Sequence, residues 1–313
     1  AEYNQNRFQG RGRSAPPLRL LERSPAPPLL DVEGSSAGGT FYNINLSSVP
    51  ATCRKVVNGV AVAGGGTRTL NIWVADNCWF STAPAWRTAR ITQSMVDAMA
   101  GTFLAAGAFN DIYDWVTAML GAEWGPHGAA DLILPNAEIT ILLCDIANDN
   151  AAGGYVGYFW SKDNYTTEYV PESSERVMFT IDAVSYATGD GSWDPGDFWP
   201  EEIFSTLAHE FQHMIHFYQR GVLRDAMASG DTWINEMASL VTEDLLADKM
   251  EVIGPRGVDQ LLKQGFRAVF VNPGDIGGRY SALSFFGIVP AALMGVDLER
   301  LLDGVRDMAV ACG

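Results

Sequence analysis

The spacing of apolar residues changes along this chain, with a strand-rich part first and a helix-rich part after it. Apolar and polar residues alternate over 40–46 and again over 70–74, and a Val-rich run occupies 53–62. All three read as strands, with Gly64, Gly65 and Gly66 in a turn before the last. Between 92 and 120 the recurrence lengthens to three and four residues, through Met95, Met99, Phe103, Ile112, Trp115, Met119 and Leu120. That spacing predicts helices with these side chains in the core. A second β region follows at 138–144, 154–160 and 177–182, after which the pattern is mainly helical. Strands first and helices second predict an α+β fold.

Residues 1–38 are of different material, with Pro16, Pro17, Pro25, Pro27 and Pro28 among scattered Arg. This is the composition of an extended tail, a linker or the remnant of a pro-region. The expected organisation is therefore a tail over 1–38, a sheet lobe over 39–220 and a helical lobe over 221–313.

One predicted helix carries chemistry. Over 201–220, Ile203, Phe204, Leu207, Phe211, Met214 and Ile215 make an apolar stripe of helical period. Pro200, Glu201 and Glu202 suit its start, and Arg220-Gly221 its end. Within it stands His209-Glu210-Phe211-Gln212-His213. Positions four apart on a helix share a face, so His209 and His213 can direct ring nitrogens at one ion. Glu210 points beside that pair, placed to act on a water without ligating the metal. Zinc lowers the pKa of such a water towards roughly 7, and a carboxylate can take its proton as it attacks a carbonyl. Two imidazoles leave the site incomplete. Glu236, in the amphipathic stretch 232–240 that follows, is the expected third ligand, brought over the His pair by two antiparallel helices. His216 falls on the same helical face, but one straight helix cannot wrap three turns around one tetrahedral ion. A third His ligand at 219 is unavailable, because that residue is Gln219. His216 is expected behind the ligands or against substrate.

Composition narrows the partners. Of the residues, 47% are hydrophobic and 19% charged, enough for one large core or two medium ones. Lys and Arg total 21 against 37 Asp and Glu, a formal charge of -16. Such a balance repels phosphate backbones and anionic lipid, so neither nucleic acid nor a membrane is expected as partner, whereas cations are. The most apolar run, 281–298, is broken by Pro290 and reads as core helix. Cys53 and Cys78 lie in neighbouring β-like segments and are the favoured disulfide pair, with buried free thiols as the alternative for these and for Cys144 and Cys312. Asp145, Asp149, Asn150 and Asp182 would permit Ca2+, although their spacing is that of a solvated turn rather than an EF-hand loop. Beginning at Ala1 without an initiator Met, the chain is expected to be a mature or trimmed form of an exported protein.

On these residues the chain resembles the gluzincins, and within them the hyicolysin-type secreted bacterial metallopeptidases. The likeness runs from about Leu70 to Gly287, and its specific part is His209 to Phe217 with Glu236. It implies a thermolysin-like catalytic domain: a twisted sheet lobe, the motif helix beneath it, a mainly helical C-terminal lobe and a cleft between them. It also implies one Zn2+ per chain, Glu210 as general base, and an edge strand that binds substrate backbone, here Tyr158, Phe159 and Trp160. Such enzymes place an Asp four residues after the ligand Glu, where this chain has Leu240; Glu243, on the same face as Glu236, is the expected substitute. No His follows His216, so Tyr280 is the candidate donor to the anionic intermediate, with Arg279 and Tyr218 behind it.

The reading this supports is a secreted or cell-surface bacterial zinc endopeptidase acting on protein or peptide. A non-catalytic zinc-containing surface binding protein or adhesin is the alternative, and a zinc hydrolase of other substrates a third. An intact Glu210 favours the first, because a purely structural site has no use for that base.

Overall fold

The computed structural model describes residues 31–82, 89–106, 111–189, 191–224, 232–247, 297, 300–303 and 305. The chain divides into two compact units, Ala1–Gly254 and Pro255–Gly313. Nearly all described residues belong to the first, which is an α+β unit built on one five-stranded sheet.

The strands are β1 (Ala51–Ala61), β2 (Thr67–Ala75), β3 (Glu138–Cys144), β4 (Gly157–Tyr158) and β5 (Met178–Asp182), in the order β1-β2-β3-β5-β4. β2, β3 and β5 are parallel, while β1 and β4 run antiparallel along the two edges. Every residue of β3 is buried, as the apolar stretch Ile139 to Cys144, broken only by Thr140, demands of a central parallel strand. Register sets Ile72, Ile141 and Phe179 side by side on one face. Trp73, Leu142, Thr180 and Tyr158 share the other, because successive side chains alternate.

The helices are α1 (Gln93–Phe103), α2 (Ile112–Leu120), α3 (Ala183–Ala187), α4 (Phe198–His216) and α5 (Thr232–Ala247). Asp111 caps α2 by accepting the Asp114 N–H, and Asp182 caps α3 through Ser185. α4 packs on the Phe179 face of the sheet. Phe211 meets Phe103 of α1 at 5.2 Å and Tyr113 of α2 at 5.4 Å, and Phe103 meets Phe179 at 5.6 Å. These edge and tilted aromatic pairs lock the orientation of α4, and hence of whatever it presents at the sheet edge. After His216 the helix widens into a π turn, Phe217–Val222. Among the described residues no helix is long and apolar enough to cross a membrane.

Four expectations change. Met119 and Leu120, expected in the core, are exposed where α2 ends. The alternating stretch 40–46 is a tight turn closed by an isolated bridge between Tyr42 and Ser48, with Leu46 at positive φ. The expected strand 154–160 pairs only at Gly157 and Tyr158, because Gly153 and Gly154 turn the chain before it and a 3-10 turn begins at Ser161. Cys53, Cys78 and Cys144 are buried free thiols, so Cys53 and Cys78 are not bridged. Burial, then the charge of Asp31, pushes the Cys53 thiol up to about 12, which leaves it unreactive.

Candidate metal centre

α4 begins after Asp197, and Pro200 fits its first turn, where no N–H is needed. Its apolar stripe seats Ile203, Leu207, Phe211 and Met214 in the core, and that rotation turns His209 and His213 towards α5. The rings lie 4.8 Å apart, centre to centre. Glu236 of α5 faces both: its carboxylate oxygens stand 3.4 Å from His209 Nε2 and 3.6 Å from His213 Nε2. One donor atom from each of the three lies within 4.8 Å of the others.

For His209, a hydrogen bond behind the ring decides which nitrogen faces the group. His209 Nδ1 lies 2.5 Å from Glu243 Oε1, whose other oxygen accepts from the Ser205 hydroxyl at 2.6 Å. That contact places the proton on Nδ1 and leaves Nε2 as the donor. The Ser239 hydroxyl, which donates to Gln212, lies beside the His213 ring, 3.3 Å from Nδ1 and 3.5 Å from Nε2, while Nε2 stands 3.6 Å from Glu236. Two neutral imidazoles and a carboxylate are the donor set that suits Zn2+ with a position open for another ligand, so these residues fit such an ion.

The electrostatics agree with the geometry. Hydrogen bonds from His209 and then His213 hold the Glu236 carboxyl far below the usual carboxylate range. For His209, burial opposes the charged ring but is outweighed by the bonds to Glu236 and Glu243 and the charge of Glu210, which push it up to about 10. A proton and a cation therefore compete for the same nitrogen.

Glu210 sits beside the three, and its Oε2 accepts the backbone N–H of Phe159 at 2.7 Å. This joins α4 to the end of β4. The approach depends on Gly157, where a Cβ would lie 2.6 Å from Thr206 and 3.2 Å from the Glu210 side chain. A cavity of about 250 Å³ opens here, lined by Ile44, the stretch 154–160, His209, Glu210, His213 and Glu236. Tyr158, Phe159 and Trp160 are thus brought to the cleft. Phe159 and Trp160 are buried, and burial raises the Tyr158 hydroxyl well above its ordinary value.

His216 ends α4 one turn past His213 and is not among the three converging groups. Tyr218 donates its hydroxyl to Pro126 O at 3.0 Å, a bond that engages it away from the cleft. Tyr280 and Arg279 lie outside the described residues. Asp145 accepts the N–H groups of Asp149 and Asn150, and Asp182 those of Ile146 and Ser185, the bonds of turns and a cap. The sequence reading missed Gly157, Ser205 and Ser239. A glycine inside a strand pattern signals close backbone approach and would have flagged the first. Ser239, a small residue one turn after Glu236, carried only a hint, and nothing local pointed to Ser205.

An α+β unit holding two imidazoles and a carboxylate beside an open cleft is a candidate metal-binding protein. The chain belongs to the Peptidase M30 family, which it matches over residues 50–254. It is 31% identical over 118 residues to the neutral metalloprotease ShpI of Staphylococcus hyicus, an overlap of 36% of this chain and 25% of that protein. Short stretches are similar to glucose-6-phosphate isomerases. In Mycoplasmopsis pulmonis the identity is 40% over 48 residues, 15% of this chain and 11% of the isomerase. In Heliobacterium modesticaldum it is 47% over 45 residues, 14% and 10% respectively. The chain thus spans a quarter or less of the length of these relatives. No solved structure matches it.

Proposed function

We propose that this chain is a secreted zinc-dependent endopeptidase of thermolysin-like, gluzincin design, with His209, His213 and Glu236 as ligands and Glu210 as general base. The observation that carries the reading is the convergence of the three donors within 4.8 Å beside a cleft that also holds Glu210. Membership of the M30 family and the likeness to a neutral metalloprotease support it. The isomerase likeness, about a tenth of those proteins, supplies no isomerase reading.

A divalent cation bound there supplies a Lewis acid that acidifies water and polarises a carbonyl. The protein's own residues do the rest. β4 is an edge strand, and an extended peptide can add to its open side, which places a scissile bond across the cleft. Glu210, fixed by the Phe159 N–H through one oxygen, takes the proton of the attacking water on the other and passes it to the leaving amine. Glu243 holds the His209 imidazole in the tautomer that faces Glu236, and Ser239 steadies the His213 ring from its side. Tyr280 remains the proposed donor to the anionic intermediate, although it lies beyond the family-matched residues.

Casein digestion with and without chelator tests the reading on wild type and Glu210→Gln. Cleavage should vanish with chelator and fall by at least about a hundredfold in the variant, which keeps its zinc. Equal activity in the variant, or cleavage indifferent to chelator, removes the proposal.

A further inference from the structure

Residues 31–49 precede the span matched by the family, yet they are built into the molecule. The Asp31 carboxylate bonds both Arg176 terminal nitrogens, at 2.7 and 2.9 Å, and accepts the Trp73 indole N–H at 2.9 Å. Neither side chain of the ion pair is more than 1% exposed, so its geometry is protected from water. Arg176 also donates to Gly38 O and to Thr140, and its guanidinium lies over Phe41 and Trp73. A side chain at Gly39 would collide with the Trp73 ring. Backbone bonds from Gly34 to Cys53 O and from Cys53 to Ser35 O tie the same segment to β1.

Trp73 and Thr140 belong to the sheet face opposite α4. The segment therefore forms a strap from the β1 edge across that face towards β4. There the Lys162 ammonium, held by Asp163, lies 5.8 Å from the Tyr42 ring and 5.0 Å from that of Trp160. A tight turn follows, in which the Asn43 side chain accepts the N–H groups of Asn45 and Ser47 and Val49 N–H bonds Phe41 O. Its tip carries Ile44, half-buried, into the wall of the cleft.

The cleft thus has two walls on either side of β4. Helix α4 and Glu236 form a polar wall, and the strap forms the other, with Ile44 and Tyr158 both lining the cleft. A peptide paired with β4 sends successive side chains to opposite faces, so one of those flanking the scissile bond points at the strap. We infer that Ile44 is a specificity-determining residue, forming with Tyr158 an apolar subsite for one substrate side chain. The inference rests on the peptidase reading and adds to it a selectivity set outside the family-matched region.

Position-by-position cleavage profiles of a peptide library, read for wild type, Ile44→Ala and Ile44→Asp, test it. Wild type should favour a large apolar residue at one position. Ile44→Ala should lower kcat/KM for those peptides about tenfold, and Ile44→Asp should shift that position alone towards Lys and Arg. Profiles identical to wild type, or an equal fall at every position, overturn the assignment of Ile44 while leaving the peptidase reading standing. A wild type that cleaves no peptide in a chelator-sensitive way removes both.

Discussion

The two helices that make the site are fastened in different ways. α4 is a core helix: Ile203, Leu207, Phe211 and Met214 are fully buried, and its imidazoles are stationed by the aromatic packing beneath them. The described side chains of α5 meet α4 largely through polar contacts. Ser239, Thr242 and Leu246 face inwards, while Met237, Leu240, Val241 and Leu245 are 42–56% exposed. Its ties to α4 run through Glu243 to Ser205 and His209, and through Ser239 to Gln212 and His213. One half of the site is thus placed by the hydrophobic core, and the other by the same polar groups that orient the rings. Damage to α4 should appear as lost stability, and damage to α5 as lost metal affinity.

Five substitutions and a titration sharpen this contrast. Phe211→Ala empties the centre of the aromatic cluster and should cost about 3–5 kcal/mol in urea unfolding. Leu245→Ala, on the exposed face of α5, should stay within about 0.5 kcal/mol; a comparable loss at both positions would erase the distinction. Glu243→Ala releases His209 Nδ1, and competition against a chromophoric chelator should show zinc affinity about 10–100-fold lower with little change in unfolding. Ser239→Ala removes one weaker tie and should cost about 1 kcal/mol of binding, or several-fold in affinity. The titration concerns pH dependence. His209 ordinarily titrates near 6.5 but is raised to about 10 in the folded chain, so its protonated form favours folding. In chelated protein this contribution is complete below about pH 6.5 and is lost as pH rises through about 10. Unfolding curves across that range should show stability declining with pH, and His209→Gln should flatten the decline.

The parts legible in the sequence are those governed by local rules. β3 matches its expected range because a mostly apolar run, Ile139 to Cys144 with Thr140 alone polar, suits a strand buried on both faces. α4 was expected at 201–220 and spans Phe198–His216; the core stripe set its middle, and Asp197 and the π turn set its ends. Glu243 was reached by counting along one helical face from Glu236, and it stands against His209. What escaped depended on distant partners. The composition of 1–38 suggested a tail, yet Asp31 is anchored by Arg176, which no local pattern could pair with it. The strand read over 154–160 is short because its purpose in the fold is to approach α4 at Gly157, a constraint that comes from the helix and not from the strand.

Zinc content by mass spectrometry, on wild type and Glu236→Ala purified side by side, bears most directly on whether one carboxylate from α5 completes a metal centre begun by two imidazoles on α4. About one zinc per wild-type chain is expected, and far less in the variant after dialysis. A wild type that retains no zinc, or a variant that retains as much, contradicts it.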